Sequence, residues 1–200
     1  RRELKPEGMM ANQFDANALP NDKFGFRIYG VMAHLPEPQA SEVLRFHSDI
    51  GANDLATKPH CSIDNFYGPE DLDAVKAALA EVASRNIPFD TSVDFNDLRS
   101  GDWGYAYTLF RDGDHSALQA DVEQALIPLT KRLRPTGQRY WPHTTMVLDM
   151  KPEEQPLVLP NLAFLDLSGD MHFDSIELIG RVGPSRGGDY QILESFPLKG

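Results

Sequence analysis

The sequence predicts an α+β fold of two similar lobes, with two matched strands lying side by side along a central cleft. Three observations predict it. Apolar stripes at helical spacing alternate with short β-branched and aromatic runs. The order strand, helix, strand occurs over about 24–67 and recurs over about 103–149. Each copy ends in one small signature, Pro-His-x-(Ser/Thr)-apolar: Pro59-His60-Cys61-Ser62-Ile63 and Pro142-His143-Thr144-Thr145-Met146.

The elements follow in order. Residues 1–22 are polar and scattered with Asn, Asp, Pro and Gly, and are expected to form an irregular arm. The first residue is not Met, which suggests a clipped start. Residues 23–200 are expected to form a single bilobal domain. The run from Phe24 to His34 reads as a strand that Pro36 and Pro38 end, with Ser41 capping a helix to about Ile50. Lys58 to Tyr67 reads as the first motif strand. Leu72, Val75, Leu79 and Val82 then form a helical stripe behind an acidic first turn. Strands are expected over 88–95 and 103–111, separated by a Ser-Gly-Asp turn. A helix capped by Asp114 or Ser116 runs to about Arg134, with Pro128 bending or breaking it. The second motif strand spans about His143 to Asp149. The Pro-rich stretch 151–160 reads as a connection, and 171–197 as a hairpin.

Composition bounds the function. Two hundred residues, 41% hydrophobic and 24% charged, suit one globular domain, and no apolar run is long enough to cross a bilayer. Cys61 is the only cysteine, so no intrachain disulfide forms; a cytoplasmic location and a monomer are expected. Nineteen Lys and Arg stand against thirty Asp and Glu, a net charge of −11. That balance repels long duplex nucleic acid and points to a short ligand instead.

The motifs carry the chemistry. On a strand, residues two apart share a face, so His60 and Ser62 point together, as do His143 and Thr145. One such tripeptide is worth little, because chance supplies many. Two, on matched strands, bring two imidazoles and two hydroxyls to one groove. Cleaving a cyclic phosphate ester needs a base for water and an acid for the leaving oxygen, and imidazole titrates near neutrality. The hydroxyls can hold the non-bridging oxygens. The same alternation puts Asp64 and Phe66 on the groove side, Phe66 as a base-stacking candidate. Arg139 and Tyr140, just before the second motif, are further candidates for contacting phosphate or base. Arg27 and Tyr29 alternate with Phe26 and Ile28 and are candidates from the first strand. Arg186, in a Gly-rich loop, is a candidate for closing over a ligand. The other histidines show no zinc-ligand spacing, no glycine-rich phosphate loop precedes a helix, and no nucleophile elbow is present. No metal or cofactor is expected.

The two motifs resemble those of the two-histidine (2H) phosphoesterase superfamily, whose best-known branch is the 2′-5′ RNA ligase-like proteins. Trp141-Pro142-His143-Thr144-Thr145-Met146 resembles the family's aromatic-x-Pro-His-x-Thr strand. The tail from Ser175 to Leu198 resembles its closing hairpin. The likeness covers about 24–197. It implies two antiparallel sheets flanking the cleft, with helices on the outer faces. It also implies a metal-independent phosphodiesterase with His60, Ser62, His143 and Thr145 as the catalytic quartet. The substrate would be a 2′,3′-cyclic phosphate or a 2′-5′-linked nucleotide, on a small nucleotide or a short RNA end. A 2′-5′ RNA ligase or RNA-end-processing enzyme using the same residues is the alternative, and a non-catalytic nucleotide-binding module is another. Members that process RNA ends often carry a basic residue shortly after the second motif. Here Val147-Leu148-Asp149 has none, which favours a small nucleotide or another phosphodiester.

Overall fold

The computed structural model describes residues 18–55, 58–110, 113–133, 139–184 and 186–200. Most of the arm expected over 1–22 lies outside the described residues. The chain runs β1 (Ile28–His34), α1 (Gln39–Asp49), β2 (His60–Tyr67), α2 (Leu72–Arg85), β3 (Phe89–Thr91), β4 (Val93–Gly101), β5 (Gly104–Leu109). It continues through α3 (Gly113–Leu126), β6 (Lys131–Arg132), β7 (His143–Leu148), α4 (Gln155–Leu162), β8 (Met171–Phe173), β9 (Ser175–Arg181) and β10 (Tyr190–Pro197). The α+β class is as expected, and β1-α1-β2 and β5-α3-β7 reproduce the repeat.

The sheets differ in one respect from two separate layers. Strands β10-β9-β1-β2 form one half and β7-β5-β4 the other, and β2 meets β7 through the antiparallel pair Cys61–Thr144, making one continuous sheet. β6 adds to β2, and β3 and β8 form a small sheet of their own. The expected strand over 88–95 therefore splits: β3 leaves for β8, while β4 stays on β5. The turn between β4 and β5 demands a glycine. Gly104 has φ +133°, and a Cβ there would meet the Val147 carbonyl at 1.9 Å.

The helices cross between the halves. α1, which follows β1, packs on β7, and α3, which precedes β7, packs on β2 and α2. Their apolar stripes meet the buried sheet face: Val43 and Phe46 from α1, Val75, Leu79 and Val82 from α2, Leu118, Val122 and Leu126 from α3. The Asp71 carboxylate accepts from the Asp73 and Ala74 backbone N–H groups and so caps α2. α1 starts at Gln39 rather than after Ser41, and α3 starts at Gly113, ahead of both expected caps. α3 stops at Leu126, before Pro128.

The stretch 151–160 is not a plain connection. Pro156 stands in the first turn of α4, where its missing N–H costs nothing, and Val158 and Leu162 bury one side of the helix. Among the described residues no helix is long and apolar enough to cross a membrane.

A buried ion cluster fastens the rim. Arg186, 8% exposed, donates from Nη2 to Asp54 Oδ1 and to Glu154 Oε1, both at 2.6 Å, and from Nη1 to the Leu148 and Asp149 carbonyls at 3.2 Å. It ties the β9–β10 loop to the end of β7 and to the start of α4. This corrects its expected role over a ligand, because two carboxylates already hold the guanidinium. Those contacts hold the Asp54 carboxyl well below the usual range. Arg186→Met leaves the carboxylate of Glu154, 2% exposed, without its guanidinium partner and with only the Lys151 backbone N–H donating to it. The expected loss is about 3–5 kcal/mol of unfolding free energy in urea titration.

Candidate active site

The motif strands are built alike down to a matching irregularity. In β2 the register against β1 slips between Ser62 and Asp64, bulging Ile63. In β7 the register against β5 slips between Thr145 and Val147, bulging Met146. The apolar residue that closes each motif is thus the bulge residue, and two consecutive side chains are buried after each hydroxyl: Ile63-Asp64 and Met146-Val147. Ahead of the bulge, Cys61 and Thr144 face the core, while His60, Ser62, His143 and Thr145 are partly exposed on the opposite face. One step either side of the Cys61–Thr144 pair sets His60 opposite Thr145 and Ser62 opposite His143. Each imidazole therefore has the other motif's hydroxyl residue as its cross-strand neighbour.

The residue two before each histidine sets the ring. His60 Nδ1 lies 2.7 Å from the Lys58 carbonyl, and His143 Nδ1 lies 2.8 Å from the Trp141 carbonyl. A carbonyl only accepts, so Nδ1 carries the proton in both neutral rings and Nε2 carries the lone pair. Trp141 does more. It stacks on His143 with centroids 4.1 Å apart, its Nε1–H donates to Thr108 Oγ1 at 2.8 Å, and that hydroxyl donates to Asp97 Oδ2 at 2.6 Å. The Arg99 guanidinium lies 4.5 Å over the indole.

His60 has different company. Its ring packs edge-on to His34 at 6.2 Å. His34 Nδ1 is 2.7 Å from Glu177 Oε2, and its Nε2 is 2.7 Å from the Tyr190 hydroxyl. Burial, opposed by the Glu177 charge, moves the His34 imidazole below its ordinary range. His60 is pushed down to about 4, chiefly by burial, with His34, His143 and Arg181 adding smaller like-charge effects.

A cavity of about 380 Å³ opens over this face. His60, Ser62 and Thr145 line it, together with Asn65, Lys58, Met32, Ile179, Arg181 and Tyr190 among others. His143 is not among the lining residues, but it lies near enough for its charge to oppose protonation of His60. No Asp or Glu lines the cavity among the described residues. Among the same residues, no group of three or more His, Cys, Asp or Glu side chains is placed to hold a metal ion.

No protein-family profile and no curated sequence matches the chain. Solved structures do. TT0787 of Thermus thermophilus superposes with a TM-score of 0.58 at 15% identity, covering 86% of this chain and 98% of that one. E. coli LigT complexed with NADP+ gives 0.58 at 12% identity over the same shares. A protein described as a phosphoesterase gives 0.56 at 14% identity, again over 86% and 98%. The chain shares its fold with these proteins.

On this scaffold, several expected contacts do not reach the cleft. Simple alternation assigns Phe66 and Asp64 to the groove, but the bulge at Ile63 reverses the faces beyond it. Phe66 is fully buried and stacks on Tyr29 at 5.2 Å, and Asn65 takes the cleft position. Asp64 is buried against the Arg132 guanidinium. Tyr29 is also core, its hydroxyl 2.8 Å from Asp22 Oδ2. Arg27 does not line the cavity; Ile28 and Met32 present the cleft face of β1 instead. Tyr140 donates to the Ser62 carbonyl at 3.2 Å and touches Cys61 Sγ at 3.4 Å, so it braces β2 from the core side. Arg139 is exposed and outside the cavity.

The cavity residues that sequence reasoning missed are Lys58, Asn65, Arg181 and Tyr190, with His34 and Glu177 behind them. The alternation Glu177-Ile179-Arg181 in the tail hairpin shows that these three share one face of β9. Nothing in the sequence marked which hairpin face met the motifs.

The unfolded His60 takes its proton near the ordinary 6.5 and the folded one near 4. Folding stability therefore falls as pH drops from about 6.5 toward about 4, and this contribution levels off below that. In an NMR titration the His60 imidazole is expected to stay neutral down to about pH 4. A midpoint near 6.5 contradicts a buried ring.

Proposed function

We propose that the protein is a metal-independent phosphodiesterase of the two-histidine type. It hydrolyses a 2′,3′-cyclic phosphate or a 2′-5′-linked nucleotide at the cleft formed by β2 and β7. The observation that carries this reading is the paired geometry. Two imidazoles with the same tautomer, each fixed by the carbonyl two residues back, stand across from the partner motif's hydroxyl. The cavity beside them has cationic but no acidic lining among the described residues, in a chain of net charge −11. Such a local field draws a small phosphate and not a long polyanion.

In the hydrolytic direction water attacks phosphorus, one new P–O bond forms and the bond to the leaving ribose oxygen breaks. His60, neutral near pH 7, takes the proton from water at Nε2. His143, in its protonated form, delivers one to the leaving oxygen. The roles exchange in the reverse direction, which joins ends instead of cleaving them. Ser62 and Thr145 donate to the non-bridging oxygens as charge builds on them. Structures of E. coli LigT complexed with 3′-AMP, ATP and phosphate supply a parallel from the same fold for a small-nucleotide ligand.

His60→Ala and His143→Ala are each expected to lower turnover of a nucleoside 2′,3′-cyclic phosphate about 10²-fold or more, measured with chelator present. Wild-type rates in either variant sink the mechanism. With His60 as the base, the acidic limb of the kcat/KM profile is expected near pH 4. A limb near 6.5 moves the base role away from His60.

A further inference from the structure

Arg181, the last residue of β9, lines the cavity; the residue is half-buried and its Nε is buried. Arg132 and Arg186, also little exposed, are built differently. Arg132 sits on Asp64 and Glu123, and Arg186 on Asp54 and Glu154. Among the described residues, no carboxylate lies within ion-pair distance of Arg181; its Nε, like that of Arg132, is buried with no hydrogen-bond partner. The nearest acidic influence is the more distant charge of Asp149, and the like charge of Arg27 works against it. A desolvated, unpaired guanidinium costs several kcal/mol unless something compensates it. Acidic residues outnumber basic ones by thirty to nineteen, so a protein partner was readily available and is not used. The open side of Arg181 is the cavity that His60, Ser62 and Thr145 also line.

We propose that Arg181 is a substrate-binding residue that holds phosphate oxygens of the ligand in this cleft. Its planar fork matches two oxygens of one phosphate, which Lys58, the other cation lining the cavity, cannot do. Arg181 reaches the cleft from the tail hairpin and so supplies the positive charge missing after the second motif. The identity of the anion rests on the phosphodiester function proposed for the cleft; the cation's need for one does not.

Calorimetric titration of wild type, Arg181→Met and Arg181→Lys with a nucleoside 3′-monophosphate and a nucleoside 3′,5′-bisphosphate tests the proposal. Arg181→Met is expected to weaken binding by roughly 10- to 100-fold, the scale of a charge-assisted hydrogen bond, and Arg181→Lys to recover part of it. Equal weakening of both ligands assigns Arg181 to the phosphate between the histidines. Weakening of the bisphosphate alone assigns it to a second phosphate. Unchanged binding of both overturns the proposal. Unliganded Arg181→Met is expected to melt no lower than wild type, because it removes an unpaired charge; a large drop marks a structural role and also overturns it. In the wild type, the Arg181 Nε–H resonance is expected to shift when inorganic phosphate is added, and a silent resonance counts against the proposal. A protein that binds phosphate through Arg181 yet turns over no phosphodiester fails the proposed reaction and keeps this inference.

Discussion

The antiparallel pair between Cys61 and Thr144 is the contact on which the site depends. It is where the two half-sheets become one, and the four motif side chains are its immediate neighbours on the cleft face. Both paired residues are fully buried, so the register is locked by the core beneath it. A slip of one residue would turn the histidines inward and the core residues outward. The crossed helices reinforce the lock. α1 packs under β7 and α3 under β2, so neither half can move without disturbing the other's helix. His47 of α1 adds a direct link, its Nε2 lying 2.7 Å from the carbonyl of the bulged Met146.

Charge is sorted by the same architecture. The buried carboxylates Asp64 and Glu154 are matched to Arg132 and Arg186 away from the cavity, where each pair joins segments distant in sequence. The polar side chains lining the cavity are cations, an amide, hydroxyls and imidazoles, set among apolar residues. The two imidazoles are equivalent in tautomer and unlike in surroundings: His143 rests on an indole held by Thr108 and Arg99, His60 beside His34, which lies against Glu177 and Tyr190. An approximate two-fold repeat thus carries an asymmetric site, in keeping with the distinct acid and base steps of the proposed reaction.

The reach of sequence reasoning is set by the range of the interactions involved. The motif pair, the repeat, the helix stripes and the closing hairpin were all legible, because periodicity and local pattern are short-range. Phe66 and Asp64 show where that stops. Period-two alternation holds only along an unbroken strand, and one bulged residue reverses every face beyond it. Tyr29 follows for the same reason, since its place is decided by Phe66 across the strand pair. Pro156 reads as a breaker in sequence because only its position within a helix, which the local pattern does not reveal, makes it harmless.

The sequence by itself determined that two Pro-His-x-hydroxyl strands recur on a repeated α+β unit, and that the chain is acidic with one thiol. Those properties are local or additive. The tertiary structure alone decided that the strands pair at Cys61 and Thr144, and that a bulge removes Phe66 from the cleft and admits Asn65. It also brought Arg181, Tyr190 and His34 beside His60. Each of these depends on registers and packing between segments far apart in the chain, which no window of sequence contains.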